Sequence, residues 1–120
     1  MIERIFTGIP RLVGIKLQGK LHDADYRTFV PAMEAEIAAY GKLRLLAYLE
    51  DFEGWDLHAA WDDFAFGVKH YADFERLALV GDSAWEEWMA RLCKPFTTAE
   101  VRYFSHAAMD EAWAWLREGL

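Results

Sequence analysis

Histidine is the commonest protein ligand of transition metals, and this chain has four histidines: His22, His58, His70 and His106. Two histidines four residues apart on a helix would direct two nitrogen ligands at one ion. No two histidines of this chain have that spacing. A dedicated zinc site is therefore not expected, and each histidine is interpreted as a surface or helix-capping residue.

A group of carboxylates in the middle of the chain is a second candidate for metal binding. It comprises Glu50, Asp51, Glu53, Asp56, Asp62 and Asp63. Carboxylate oxygens suit hard cations such as Ca²⁺, but the spacing here is not that of an EF-hand loop. The pattern favours a solvated acidic surface, and we predict neither a metal nor any other cofactor.

The chain offers no recognisable catalytic nucleophile. Cys93 has no histidine near it in sequence and is interpreted as an inert, half-buried thiol. Ser83 precedes a helical pattern, so its expected role is a helix N-cap and not a phosphorylation site. No Walker A, GxSxG or GxGxxG motif occurs. The sequence predicts a protein that is not an enzyme and has no catalytic residues.

The segment EDFEGWD at residues 50–56 places Phe52 and Trp55 on either side of Gly54, in a stretch that is typical of an acidic turn. One interpretation is that both aromatic side chains complete the core by packing against the next helix. The other is a mobile lid over an apolar cavity, hinged at Gly54 and Gly67, because ligands of open α/β sheets bind at loops that follow strands. The candidate ligand-binding residues are Phe52, Gly54, Trp55, Leu57, Trp61, Phe64 and Val68.

Length and composition limit the kinds of protein this can be. With 120 residues, of which 54% are hydrophobic, the chain can form one domain, residues 1–120, with a single core. A net charge of −7 disfavours nucleic acid and anionic lipid as partners. A single cysteine cannot form an internal disulfide, and no apolar run approaches the ~20 residues of a membrane span. We expect a soluble, cytoplasmic protein with at most peripheral membrane contact.

Hydrophobic periodicity predicts the elements that position these residues. Strands are expected at residues 2–6, 11–18, 43–49, 77–80 and 100–104, and helices at 23–41, 57–71, 83–94 and from 105 onward. The order β-β-α-β-α-β-α-β-α predicts an α/β fold with a mostly parallel sheet and one antiparallel pair at its edge. Leu45, Ala47, Leu49, Leu77, Leu79 and Val80 are predicted to lie in two adjacent, buried, parallel strands.

Local signals add detail to the helices. Pro31 removes one helix hydrogen bond, so we expect a kink or a fresh helix start there. Asp56 and Ser105 are expected N-caps, and Ser83 with Glu86 has the spacing of a capping box. The expected apolar faces are Leu57, Trp61, Phe64 and Val68 on the second helix, Trp85, Trp88, Met89 and Leu92 on the third, and Met109, Ala112, Trp113 and Leu116 on the fourth.

Four segments resemble the SpoIIAA-like proteins, which are relatives of the STAS domains of anti-sigma-factor antagonists and sulfate transporters. The segments are GKLHDADY at 19–26, LEDFEGWDL at 49–57, FERLALVGD at 74–82 and KPFTTAEVRYF at 94–104. The resemblance covers essentially the whole chain. It implies a superhelix of strand-helix units, with a five-stranded sheet and four main helices packed chiefly on one side. It also implies an interaction module with an apolar-ligand or membrane role similar to that of CRAL-TRIO lipid-binding domains.

In STAS regulators, the loop after the central strand carries a serine whose phosphorylation switches partner binding. The corresponding residues here are 50–56, and residues 45–80 contain neither Ser nor Thr. The carboxylates of this segment would also repel a phosphate. We therefore predict that phosphorylation does not switch the protein at this segment, and a stoichiometric regulatory phosphate on Tyr48 would contradict this.

Two functions remain open. The first is a non-enzymatic module that binds an apolar small molecule, a lipid or a membrane surface beneath a mobile lid at residues 52–68, with Trp55 as its gate. The second is a STAS-type regulatory domain that binds a protein partner or a second copy of itself, as a homodimer. An enclosed apolar cavity behind Trp55 would favour the first function, and a flat exposed aromatic patch the second.

Overall fold

A computed structural model describes the backbone of all 120 residues and the side chains of all but Trp85, Leu92, Cys93 and Phe96. The predicted packing of Trp85 and Leu92 and the predicted state of the Cys93 thiol lie outside the described residues.

The observed elements alternate as the hydrophobic pattern predicts. They are β1 (Ile2–Ile5), β2 (Leu12–Leu21), α1 (Asp23–Tyr40), β3 (Leu43–Trp55), α2 (Leu57–Lys69), β4 (Phe74–Gly81), α3 (Ala84–Cys93), β5 (Glu100–Ser105) and α4 (Met109–Arg117), with short 3-10 turns at Lys94–Phe96 and His106–Ala108. The predicted order of strands and helices is thus confirmed. In the part of the chain that the structure describes, no helix is both long enough and apolar enough to cross a bilayer.

The five strands form one sheet in the order β1-β2-β3-β4-β5. β1 is antiparallel to β2, and every other pair is parallel. Leu45 lies opposite Leu77 and Ala47 opposite Leu79, which confirms that these segments are adjacent parallel strands. Their burial is less complete than predicted, because Leu45, Leu77 and Leu79 are only half-buried.

Helices cover both faces of the sheet, but unequally. α1, α2 and Met89 of α3 pack on the first face, over strand residues such as Val13, Ala47 and Leu49. On the second face α4 is the only helix among the residues whose side chains are described, and its residues Ala112, Trp115 and Leu116 pack against Leu12, Leu46, Ala78 and Val80. The expected arrangement, with helices chiefly on one side of the sheet, is confirmed.

The prediction that residues 50–56 form a loop is wrong, because β3 continues to Trp55. β2 is also longer than predicted and pairs with this extension: Gly19 lies opposite Phe52, and Leu21 lies opposite Trp55. The extension contains two β-bulges, in which Asp51 and Glu53 are extra residues without a partner position in β2. Asp51 and Gly54 have positive φ angles of 48° and 95°, and bulges of this kind favour such backbone conformations.

The bulges explain how aromatic side chains fit among carboxylates. Side chains alternate between the two faces of a strand, so Asp51 would follow Leu49 onto the helix-covered face. The extra residue shifts the alternation, and Phe52 points into the first core while Asp51 and Glu53 remain exposed. Acidic and aromatic residues therefore occupy opposite environments within one strand.

The predicted helix caps are partly confirmed. Asp56 caps α2, since its Oδ1 accepts a hydrogen bond from the backbone N–H of Ala59 at 2.8 Å. Ser83 is the N-cap of α3 but its hydroxyl makes no capping bond, and Glu86 instead accepts from the backbone N–H of Asp82 at 3.1 Å. Ser105 precedes the 3-10 turn and not α4 itself, and it also makes no capping bond.

Pro31 does not begin a new helix. α1 runs without interruption from Asp23 to Tyr40, with Pro31 in its interior. Proline cannot donate a backbone hydrogen bond. Tyr26 and Met33, which lie on either side of it in the sequence, are both buried in the first core and hold the two halves of the helix on the sheet.

Arginines attach the C-terminal end of α4 to the sheet. Arg44 of β3 donates hydrogen bonds from Nη1 to the carbonyl oxygens of Leu116, at 2.9 Å, and Glu118. Arg76 of β4 donates from Nη1 to the carbonyl oxygen of Trp115 at 2.6 Å. The last carbonyls of a helix have no donor one turn further along the helix, so these side chains add hydrogen bonds at this end of α4, where the Trp115 carbonyl also accepts from the backbone N–H of Glu118 at 3.3 Å.

Candidate functional site

The outer face of α2 carries a continuous apolar stripe, which we call the α2 stripe. It consists of Leu57, Trp61, Phe64 and Val68, whose exposed fractions are 93, 65, 50 and 56%. The rings of Trp61 and Phe64 are 6.0 Å apart between centroids. These four residues were predicted to form a stripe, and they do share one face of the helix, but that face points to solvent.

A different face of α2 attaches the helix to the core. Ala59 is fully buried, and Phe66 packs against Phe29 of α1 and Phe74 of β4, with centroid distances of 5.7 and 6.2 Å. At the end of the helix, His70 is buried and its ring nitrogens meet Asp73 at 2.6 Å and Glu34 at 3.0 Å. Because this face holds the helix in place, the α2 stripe is not required for the core.

Phe52 and Trp55 lie on the inner side of the fold, away from the α2 stripe. Phe52 is only 7% exposed, and its ring meets the half-buried Trp55 edge to face at 5.0 Å. Trp55 Nε1 donates a hydrogen bond to the hydroxyl oxygen of Tyr26 at 2.7 Å. A Cβ atom added at Gly54 would meet no atom within 4 Å. The positive φ angle of this residue, and not crowding, therefore favours glycine at this position. The predicted site residues therefore separate into a core group and an exposed group.

Tyr26 connects Trp55 to α2. Its hydroxyl accepts from Trp55 and donates to Asp63 Oδ1 at 3.0 Å, which links β3, α1 and α2 through one oxygen. Burial is the main cause that raises the pKa of Tyr26, and the neighbouring Asp63 raises it further. Asp63 is exposed as a whole residue, but desolvation of its carboxyl raises its pKa, while the hydrogen bond from Tyr26 lowers it.

Asp63→Asn is expected to increase the free energy of unfolding at pH 7 and to have little effect below about pH 4. A carboxyl whose pKa is raised by folding contributes stability that is lost as the pH rises through the folded-state pKa. Asparagine cannot ionise but still offers an oxygen to Tyr26. Urea unfolding at several pH values measures the difference, with the exposed Asp110→Asn as a control. A loss of stability at pH 7 would contradict the expectation.

Polar side-chain contacts connect the beginning of α2 to the beginning of α1. His22 Nδ1 lies 2.6 Å from Asp56 Oδ2, and His58 Nδ1 lies 3.0 Å from Asp23 Oδ1. The carboxyls of Asp23 and Asp62 are close enough to share a proton, which lowers the pKa of Asp23 and raises that of Asp62. These contacts could not be predicted from sequence spacing, because each joins α1 or its first turn to a segment more than 30 residues away.

An open groove of about 380 Å³ runs between α1 and α2. Its apolar lining includes Tyr26, Val30, Pro31, Trp61, Ala65 and Phe66. The groove lies beside the α2 stripe and not behind Trp55, whose indole packs on Phe52 and Tyr26. An enclosed cavity behind Trp55 would favour a ligand-binding module, and an exposed aromatic patch would favour a protein-interaction domain. The surface of α2 presents the exposed aromatic patch.

The fold defines a class of small α/β domain, with a mixed five-stranded sheet in sequential strand order and helices chiefly on one face. The model of the SpoIIAA-like family matches residues 12–117, and the chain belongs to that family. A solved structure is also similar: an uncharacterized protein from the DUF3478 family with a SpoIIAA-like fold, from Shewanella loihica PV-4. It is 30% identical, with a TM-score of 0.80, over 97% of this chain and 92% of that chain. No curated protein matches the chain.

Proposed function

We propose that this protein is a non-enzymatic protein-interaction domain that uses the α2 stripe to bind an apolar helix face, and that a second copy of the chain is its simplest partner. The observation that carries the proposal is the exposure of four large apolar side chains on one helix face. Exposed apolar patches on soluble proteins are commonly sites of association.

The spacing of the α2 stripe supports a helical partner. Its residues follow one another at intervals of four, three and four, the spacing of a helix–helix seam. A helix that presents such a row can pack against an equivalent row in antiparallel or parallel orientation, which makes a two-fold symmetric dimer possible. Trp61 and Phe64 at the centre of the row are aromatic anchors of the kind that dominate binding energy.

A lipid surface is the second candidate partner, since interfacial helices also present Trp, Phe and Leu on one face. Such helices usually carry Lys and Arg on the opposite face. Between residues 57 and 69, α2 carries Asp62 and Asp63 but only one such cation, Lys69. The charge of α2 therefore favours a protein partner over anionic lipid.

We also propose that part of the segment predicted to be a mobile lid, residues 52–68, moves. Because Phe52 and Trp55 are strand residues, we propose that only α2, from Leu57 onward, changes position when a partner binds. The polar contacts of His22 with Asp56 and of Tyr26 with Asp63 would have to break or adjust.

Sedimentation velocity over a range of concentrations tests the proposal. We expect the wild-type chain to dimerise and Trp61→Glu to shift the monomer–dimer equilibrium at least tenfold toward monomer, equivalent to about 1.4 kcal/mol. Trp88→Glu is the matched control, because Trp88 is also on a helix and is 60% exposed but lies outside the α2 stripe.

Flotation with phosphatidylcholine vesicles separates the two partners. A monomeric protein that floats, and that loses flotation in Trp61→Glu, would replace the protein-interaction proposal with the lipid one. A protein that neither dimerises nor floats, or for which Trp88→Glu has the same effect as Trp61→Glu, would refute the role of the α2 stripe.

A further inference from the structure

A cluster of metal-ligating side chains lies where α1 begins, and the proposed interface does not use it. Its members are Asp23 of α1 and His58 and Asp62 of α2, whose ligand atoms all lie within 4.8 Å of one another. His58 and Asp62 are four residues apart, so they project from the same side of α2. Asp23 approaches them from across the α1–α2 contact.

The distance between the first two ligand atoms fits a first-row transition metal. His58 Nδ1 is 3.0 Å from Asp23 Oδ1. Nitrogen and oxygen ligands lie ~2.0–2.2 Å from Zn²⁺, so two ligands of one ion are separated by about 3.0 Å at a right angle and about 3.4 Å at a tetrahedral angle. These two atoms can therefore bind one ion with little movement.

The third residue of the cluster, Asp62, has a carboxylate oxygen that lacks a hydrogen-bond donor. Asp62 Oδ2 is buried, and no described residue donates a hydrogen bond to it. A buried carboxylate oxygen without a donor is costly, and this carboxyl also lies against that of Asp23. A cation bound between the two carboxylates would remove the repulsion, and the imidazole of His58, 3.0 Å from Asp23 Oδ1, lies close enough to serve as its nitrogen ligand.

We propose that Asp23, His58 and Asp62 form a binding site for a divalent transition metal, of which Zn²⁺ is representative. One imidazole with two carboxylates favours such an ion over Mg²⁺ and Ca²⁺, which prefer oxygen ligands alone. Three protein ligands leave at least one position for water. The bound ion joins the first turn of α1 to α2.

Arg27 orients the site from outside. Its Nε lies 2.6 Å from Asp23 Oδ2, which leaves Asp23 Oδ1 directed at His58. Such an outer contact fixes the orientation of a ligating carboxylate. The spacing rule for two histidines does not detect this site, because its helical pair is one histidine and one aspartate.

Isothermal titration calorimetry of the tag-free chain with ZnCl₂ tests the proposal. We expect one Zn²⁺ per chain, and at least a tenfold weaker affinity for His58→Ala and for Asp62→Asn. The side chain of His58 is 62% exposed, so its replacement should not impair folding. His22→Ala is the matched control, because His22 is also exposed at this junction but pairs with Asp56, and its affinity should stay within about twofold of wild type.

Two outcomes would overturn the metal site. One is the absence of Zn²⁺ binding at concentrations up to about 100 μM, a limit equivalent to about −5.5 kcal/mol. The other is an equal loss of affinity in His22→Ala and His58→Ala, which would indicate adventitious binding to surface histidines. Repeating the titration with Phe64→Ala keeps the result separate from self-association, because this variant changes the α2 stripe without adding a ligand, and the Zn²⁺ affinity should be unchanged.

Discussion

Phe52→Ala is expected to lower the free energy of unfolding by about 3–5 kcal/mol, the usual cost of removing a buried aromatic side chain. Phe52 belongs to the first core and packs against Trp55, so alanine would leave a cavity between β3 and the helices above it. Phe52 is only 7% exposed, whereas the α2 stripe faces solvent. The molecules that remain folded should therefore dimerise as the wild type does, which urea unfolding and sedimentation velocity measure separately.

Phe64→Ala is the matched control and should show the opposite result. Phe64 is half-exposed on the α2 stripe, so its truncation should cost less than about 1 kcal/mol of stability but weaken dimerisation. If Phe52→Ala instead weakened association and left stability nearly unchanged, Phe52 would be a binding residue, and its assignment to the core would be incorrect.

Trp115→Ala is expected to cost a similar amount, about 3–5 kcal/mol. Trp115 is 5% exposed in the second core, where α4 covers the sheet. The guanidinium groups of Arg76 and Arg102 lie 5.1 and 4.7 Å from the centre of its ring, so truncation also removes two cation–π contacts. Unfolding followed by far-UV circular dichroism measures the loss without relying on tryptophan fluorescence.

Trp113→Ala provides the comparison on the same helix. Trp113 is half-buried, so its truncation should cost about 1–2 kcal/mol, clearly less than that of Trp115. Equal losses for the two variants would mean that the arginine contacts and the deeper burial of Trp115 contribute little to the attachment of α4.

The order of elements could be predicted because apolar runs and helical periodicities alternate clearly along the chain. The position at which β3 ends could not be predicted, because Asp51, Glu53 and Gly54 have the composition of a turn. What continues the strand through this segment is the pairing of Phe52, Gly54 and Trp55 with residues 19–21 of β2, which are distant in sequence. Bulges conceal such pairing, because they interrupt the alternation by which a half-buried strand is recognised.

Helical periodicity could not decide which tryptophan of α4 is buried. With 100° per residue, Trp113 and Trp115 lie on opposite sides of the face formed by Ala112 and Leu116. The sequence pattern favours Trp113 as the buried residue, whereas in the structure Trp115 is buried. The guanidinium groups of Arg76 and Arg102 lie over its ring. The choice depends on strand residues that a helix pattern does not include.

The α2 stripe illustrates a related limit for the candidate site. Its members could be named from their spacing, but a period shows only that residues share a face and not which face meets the core. α2 has a second, weaker apolar face at Ala59 and Phe66, and this one packs inward. The hydrogen bond of Asp63 with Tyr26 and the buried His70 help to fix that orientation, and both depend on tertiary contacts.

The sequential order of the strands has a consequence for synthesis on the ribosome. Each strand pairs with the strand before it, so its partner has already been made when it emerges. No strand must be inserted between two that are already paired, and the sheet can grow in one direction. α4 is the last helix made, however, and until it docks, Leu46, Ala78 and Val80 on the second face have no cover. A nascent chain that lacks this helix would present the apolar surface that chaperones bind.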